Sequence, residues 1–163
     1  MSLLDIDLRL LDLVEVVAFD RSPLTDIKTF TRRADIGLIE GGVCNDENVH
    51  VLRLFREHCD ILVSMGACAI MGGLPALRNE IPLSECLEEA YLRVPTSAGG
   101  SRIIPHHPDL PKILDRVYPC HEIVKIDYFL PGCPPSAELI WRAVTGLLFG
   151  GADPIPRELI RYD

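Results

Sequence analysis

Three apolar runs in this chain each end in a glycine turn: "ADIGLIEGG" at 34–42, "DILVSMG" at 60–66 and "IDYFLPGCPP" at 126–135. Runs that are apolar throughout, rather than alternating, indicate strands covered on both faces, as in a parallel sheet with helices on either side. The intervening segments read as helices. "NDENVHVLRLFREHC" at 45–59 offers Asn45 or Asp46 as a cap and repeats apolar positions at Val49, Leu52, Phe55 and Cys59. "SAELIWRAVTGLLF" at 136–149 follows with Ser136 as its cap, and "SECLEEAYL" and "PDLPKILDRV" read as shorter helices. Residues 2–13 place Leu3, Ile6, Leu10 and Leu13 on one helical face, and "VEVVAF" at 14–19 reads as a short strand. The alternation predicts an α/β fold, a doubly wound parallel sheet, with residues 1–163 forming a single domain.

In such sheets ligands collect beyond the carboxyl ends of the strands. Three turns belong there: "EGGVC" at 40–44, "GACAIMGG" at 66–73 and "GCPP" at 132–135. Gly132 lets the backbone approach a bulky ligand, while Pro134 and Pro135 fix the chain direction around Cys133. Cys–Pro is a pairing found at iron–sulfur ligands, and the turn admits two readings: a thiolate presented to a cluster, or a thiol packed in a rigid turn. Small residues flank Cys68, whose turn could aim backbone N–H groups at sulfur, with Gly72 and Gly73 leaving room for a partner or cofactor. Flavin or nucleotide phosphate binding is the rival for a sheet of this kind, but neither GxGxxG nor a Walker lysine is present. A catalytic cysteine would need a histidine partner; His50, His106, His107 and His121 lie in no hydrolase motif.

Composition narrows the function classes. Sixteen Lys and Arg against 24 Asp and Glu give a formal charge of −8 with no basic run, which argues against a nucleic-acid partner. The apolar stretches stop short of the roughly eighteen residues a membrane span needs, and "MSLLDIDLRLLDL" carries acids where a signal peptide carries a basic region. A cytoplasmic chain that is not membrane-embedded is the expectation. Six cysteines spread singly then fit metal ligation or burial better than a disulfide framework. Cys59 and Cys86 read as helix residues facing a core, Cys44 lies past its glycines, and Cys120 precedes the strand predicted within "EIVKIDYFLPG" at 122–132 and is expected at the opposite edge of the sheet.

"DILVSMGACAIMGGLPALRN", "YPCHEIVKIDYFLPGCPPSAELI" and "LTDIKTFTRRADIGLIEGGV" resemble the small subunit of nickel–iron hydrogenases, in the short, single-cluster form of the cytoplasmic NAD-reducing (bidirectional) enzymes. The small iron–sulfur subunit of respiratory complex I, which passes electrons to quinone, shares the GCPP turn and is the alternative. The resemblance implies a flavodoxin-like fold with one proximal 4Fe–4S cluster on this chain, ligated by Cys68 and Cys133. Glu40, Cys44, Gly66 and Gly132 stand in the same turns as residues able to shape or tune that site. It also implies partners: a hydrogenase large subunit holding the NiFe centre, and iron–sulfur and flavin diaphorase subunits carrying FMN, NAD and further clusters. The chain is then an electron relay in a hydrogen:NAD oxidoreductase, with no complete active site and no catalytic residue of its own.

A four-iron cluster takes four thiolates, and the family draws the first two from a Cys-x-x-Cys turn after a central first strand. Neither precedes residues 2–13 in this sequence, so both remaining ligands are expected upstream of Met1. A sheet lacking that strand is expected to have a slot of unpaired backbone in its middle.

Overall fold

The computed structural model describes residues 6, 8–20, 30–95, 102–150 and 155–161. Helix α1 (Leu8–Val16) is followed by β1 (Ala34–Glu40), β2 (Val43–Asn45), α2 (Asp46–His58), β3 (Cys59–Met65) and α3 (Gly66–Met71). Then come α4 (Leu83–Glu88), β4 (Ile113–Tyr118), β5 (Tyr128–Leu130) and α5 (Ala137–Phe149). Strands β1, β3 and β5 form a parallel sheet in that order, and β2 and β4 form a separate antiparallel ribbon.

Successive residues of β3 project to opposite faces, and each face has its own core. Val63 joins Leu10 and Leu13 of α1 and Leu139, Ile140 and Val144 of α5 on one side. Leu62 joins Leu52 of α2, Val43, Ala69, Cys120 and Ile126 on the other. Burying each such aliphatic side chain contributes about 1.5–3 kcal/mol, so the two-faced run "ILV" is the energetic centre of the fold. This is the helix-covered parallel sheet predicted from the apolar runs. The caps follow the sequence too: the Asn45 side chain accepts from the Asn48 N–H at 2.7 Å, and that of Ser136 from the Leu139 N–H at 3.3 Å.

Four expectations need correction. "VEVVAF" is not a strand: α1 continues to Val16, and Val17 and Phe19 pack onto the core. Among the described residues β1 pairs only with β3, so this β-prone segment has no ladder to join. "PDLPKILDRV" supplies β4 rather than a helix, because a distant pairing with β2 overrides the local spacing. That strand is also held from the side, Arg78 donating to the carbonyls of Leu114 and Asp115 and Asn79 exchanging two bonds with Val117. The loop "ACAIMGG" opens with a helix, α3, which carries Cys68. Among the described residues no slot divides the sheet: β1 and β3 pair directly from Ala34↔Cys59 to Glu40↔Met65.

The strand predicted within "EIVKIDYFLPG" is reduced to Tyr128–Leu130. Just before it, the Asp127 carboxylate takes the Leu62 N–H at 2.9 Å, while the Asp127 N–H donates to the Leu62 carbonyl at 2.9 Å. A side chain thus occupies one place in the ladder. Arg56 of α2 anchors that carboxylate at 2.6 Å and donates also to the carbonyls of Lys125, Cys59 and Asp60. The Arg56 hydrogen bond, aided by the Leu62 N–H, holds the Asp127 carboxyl down at about 2.

Candidate cluster site

The carboxyl ends of β1, β3 and β5 lie side by side because the strands are parallel, in register and adjacent. The turns carrying Glu40, Cys68 and Cys133 therefore share one edge, as the sequence predicts. Two of them are joined directly: the Ala67 N–H donates to the Gly132 carbonyl at 2.8 Å, and the next residue in each turn is a cysteine. Gly66 is part of the same seam. A Cβ there would stand 3.5 Å from the Gly132 oxygen and 3.6 Å from Pro135 Cδ.

Local backbone geometry fixes both thiols. Gly132 has φ +138°, and a Cβ on it would fall 2.5 Å from Pro135 Cα, so the turn that presents Cys133 needs glycine. Cys133 itself is exposed. Cys68 is half-buried on α3; its carbonyl accepts from the Gly72 N–H at 3.0 Å, and Gly73 packs so closely that a Cβ would come within 2.9 Å of Cys68 Sγ.

The other four cysteines are not on the two turns joined by the Ala67–Gly132 bond. Cys44, on β2, donates its thiol to Asn48 Oδ1 at 3.3 Å. Cys59 closes α2 as its C-cap, its N–H donating to the Phe55 carbonyl, and also begins β3; it is buried against Gly37, and burial pushes its thiol up. Cys86 is half-buried on α4. Cys120 corrects the sequence reading. It lies at the same edge as the candidate ligands, its thiol 3.6 Å from the Gly41 carbonyl and beside Ser64, because "YPC" enters a short turn rather than a strand. It is only 1 % exposed, and burial pushes it up to about 11, an environment that opposes a thiolate.

Glu40 is exposed at the end of β1 and lines a cleft of about 370 Å3 with Glu47 and Cys120. Cys133, Pro135 and Ser136 line a second cleft of about 470 Å3 together with Glu158 and Arg161. Sequence reasoning passed over these last two; no local pattern reveals that a tail segment returns to the sheet edge.

Among the described residues no group of three or more His, Cys, Asp or Glu side chains is arranged to hold a metal ion. The chemistry present is two thiols on rigid, adjacent turns, one open to a partner. That fits half of a four-thiolate cluster site.

The sequence matches the family described as NADH ubiquinone oxidoreductase, 20 kDa subunit, over residues 1–147. The chain belongs to this family. Within the 20 kDa subunit family it is 50% identical to the delta subunit of the NAD-reducing hydrogenase HoxS of Cupriavidus necator, over 100% of this chain and 78% of that one. It is 36% identical to a subunit of the F420-non-reducing hydrogenase of Methanothermobacter thermautotrophicus, spanning about half (51%) of that relative's length. A chain in the crystal structure of NAD+-reducing nickel–iron hydrogenase in the H2-reduced state superposes with a TM-score of 0.94 at 54% identity, covering 100% of this chain and 90% of that one. These relatives bear out the resemblance to the hydrogenase small subunit, in preference to the complex I alternative. Among the described residues no helix is long and apolar enough to cross a membrane.

Proposed function

We propose that this chain is the electron-transfer small subunit of a cytoplasmic NAD-reducing nickel–iron hydrogenase. It relays electrons between the NiFe centre of a large subunit and a flavin-linked NAD module carrying FMN and further iron–sulfur clusters. The carrying observation is the Ala67–Gly132 hydrogen bond, which places the Cys68 and Cys133 turns side by side at the carboxyl edge.

When bound, a 4Fe–4S cluster supplies one-electron storage and transfer. Cys68 and Cys133 would hold it as thiolates, two of the four that such a cluster takes. Gly66, Gly73 and Gly132 supply close backbone approach, and the neighbouring N–H groups favour negative sulfur. Glu40 and Cys44 stand near that edge without ligating. The chain contributes no acid, base or nucleophile to hydrogen chemistry.

Purification of the native assembly tests the reading. Nickel, iron and flavin with hydrogen-dependent NAD reduction are expected. Quinone reduction without nickel would point to the complex I-type alternative, and an iron-free chain would sink both.

A further inference from the structure

The C-terminal segment takes no part in the thiolate assignment, yet the fold returns it to the same edge. Ile155 and Leu159 pack onto the core built by α1, β3 and α5. A turn at Arg157–Leu159 is closed by the Leu159 N–H on the Pro156 carbonyl and the Ile160 N–H on the Arg157 carbonyl, both at 3.0 Å. Anchored in this way, the segment forms one wall of the cleft of about 470 Å3 whose opposite wall is Pro131–Ser136 with Cys133. Glu158 and Arg161, both exposed, stand on that wall.

We propose that residues 155–161 are the outer wall of the cluster site, and that Arg161 and Glu158 set the reduction potential there in opposite directions. The inference rests on Cys133 being a cluster ligand. A reduced cluster carries one more negative charge than an oxidised one, so a nearby guanidinium favours reduction and a nearby carboxylate opposes it. Pro131, Pro134, Pro135 and Leu159 line the same cleft, and because Glu158 and Arg161 are exposed, solvent screens both charges in part. Among the described residues neither side chain forms a hydrogen bond or ion pair with the sulfur-bearing turn, so each charge can be removed without breaking a bond to the thiolates' backbone. Both effects shrink as ionic strength rises.

The test is a redox titration of the intact complex at low salt, followed by electron paramagnetic resonance. The signal of this chain is the one that disappears in Cys133→Ala. Arg161→Gln should lower its midpoint, Glu158→Gln should raise it, and Arg161→Lys should keep the wild-type value, all with unchanged iron content. Unchanged midpoints in both neutral variants, or shifts in the same direction, would overturn the proposal while leaving the cluster assignment intact. If Cys133→Ala removes no signal, the cluster assignment itself falls, and this proposal with it.

Discussion

The Ala67 N–H donates to the Gly132 carbonyl at 2.8 Å, so the residues just before Cys68 and Cys133 are bonded across the sheet edge. Parallel pairing of β3 with β5, from Val63↔Tyr128 to Met65↔Leu130, leaves both turns at the same height. As the proposed cluster ligands, the two cysteines are expected to act as a unit. Replacing either Cys68 or Cys133 by Ala should remove iron from the assembled complex or leave a smaller cluster. Cys86→Ala should cost only packing, about 1 kcal/mol, with iron unchanged. Iron analysis of the three variants decides it, and equal loss at all three would contradict the assignment.

Thiol accessibility separates the cysteines in a second way. In cluster-free protein at pH 8, Cys133 should be alkylated rapidly, because it is exposed. Cys59 and Cys120, each 1 % exposed, should stay protected until the fold opens. Cys120 also gives an alkaline limit. Its folded value, about 11, lies above the ordinary 9.0, so folded protein keeps the proton that unfolded chain releases. The contribution of Cys120 to stability is complete below pH 9 and is lost as pH rises through about 11. Mass spectrometry of labelled peptides checks the order, and Cys120→Ala should flatten the alkaline fall.

Bonded to Leu62 midway along β3, Asp127 predicts an acid limit. Arg56 and the Leu62 N–H hold its carboxyl at about 2, below the ordinary 3.8. A depressed folded value contributes stability that is present above pH 3.8 and is lost as pH falls through about 2. Asp127→Asn should lower stability by about 1.5–3 kcal/mol near neutral pH, the worth of hydrogen bonds to a charged group. It should also reduce the loss between pH 4 and 2. Denaturant titrations of both proteins at several pH values would show it; parallel pH curves would refute the role of the carboxylate.

The parts of the fold legible in sequence are those where local pattern and tertiary demand agree. "ADIGLIE" and "DILVSM" are apolar on both faces because both faces are covered, and Asn45 and Ser136 cap the helices they precede. Cys68 and Cys133 were legible as residues beyond the carboxyl ends of strands, although Cys68 lies on α3 rather than in a loop. β4 was not, since Ile113, Leu114 and Val117 fit helical spacing and only pairing with Val43 and Asn45 makes them a strand. The error at Cys120 follows from overextending β5 upstream, where the Asp127 side chain replaces the backbone ladder. Glu158 and Arg161 were illegible for a different reason. Their position depends on Ile155 and Leu159 reaching a core assembled from the far end of the chain.

Gly73 offers the sharpest probe of how Cys68 is placed. Its backbone, φ +52° and ψ −150°, lies in a region that residues with a Cβ avoid, at a cost of about 1–3 kcal/mol. An added Cβ would stand 2.9 Å from Cys68 Sγ and 3.0 Å from both Cys68 Cα and Cys68 N. The sulfur can rotate away, but the backbone atoms cannot, because the Cys68 carbonyl is bonded to Gly72 and Ala67 is bonded to Gly132. Gly73→Ala should therefore displace Cys68 and lower iron content although every thiol remains. Gly146→Ala on α5 is the control: a Cβ there meets nothing within 4 Å, and the helix should gain about 0.5–1 kcal/mol. Iron content and thermal melting of the two variants are the measurements. Full iron in Gly73→Ala would show that the tight approach of Gly73 is not what fixes the thiolate.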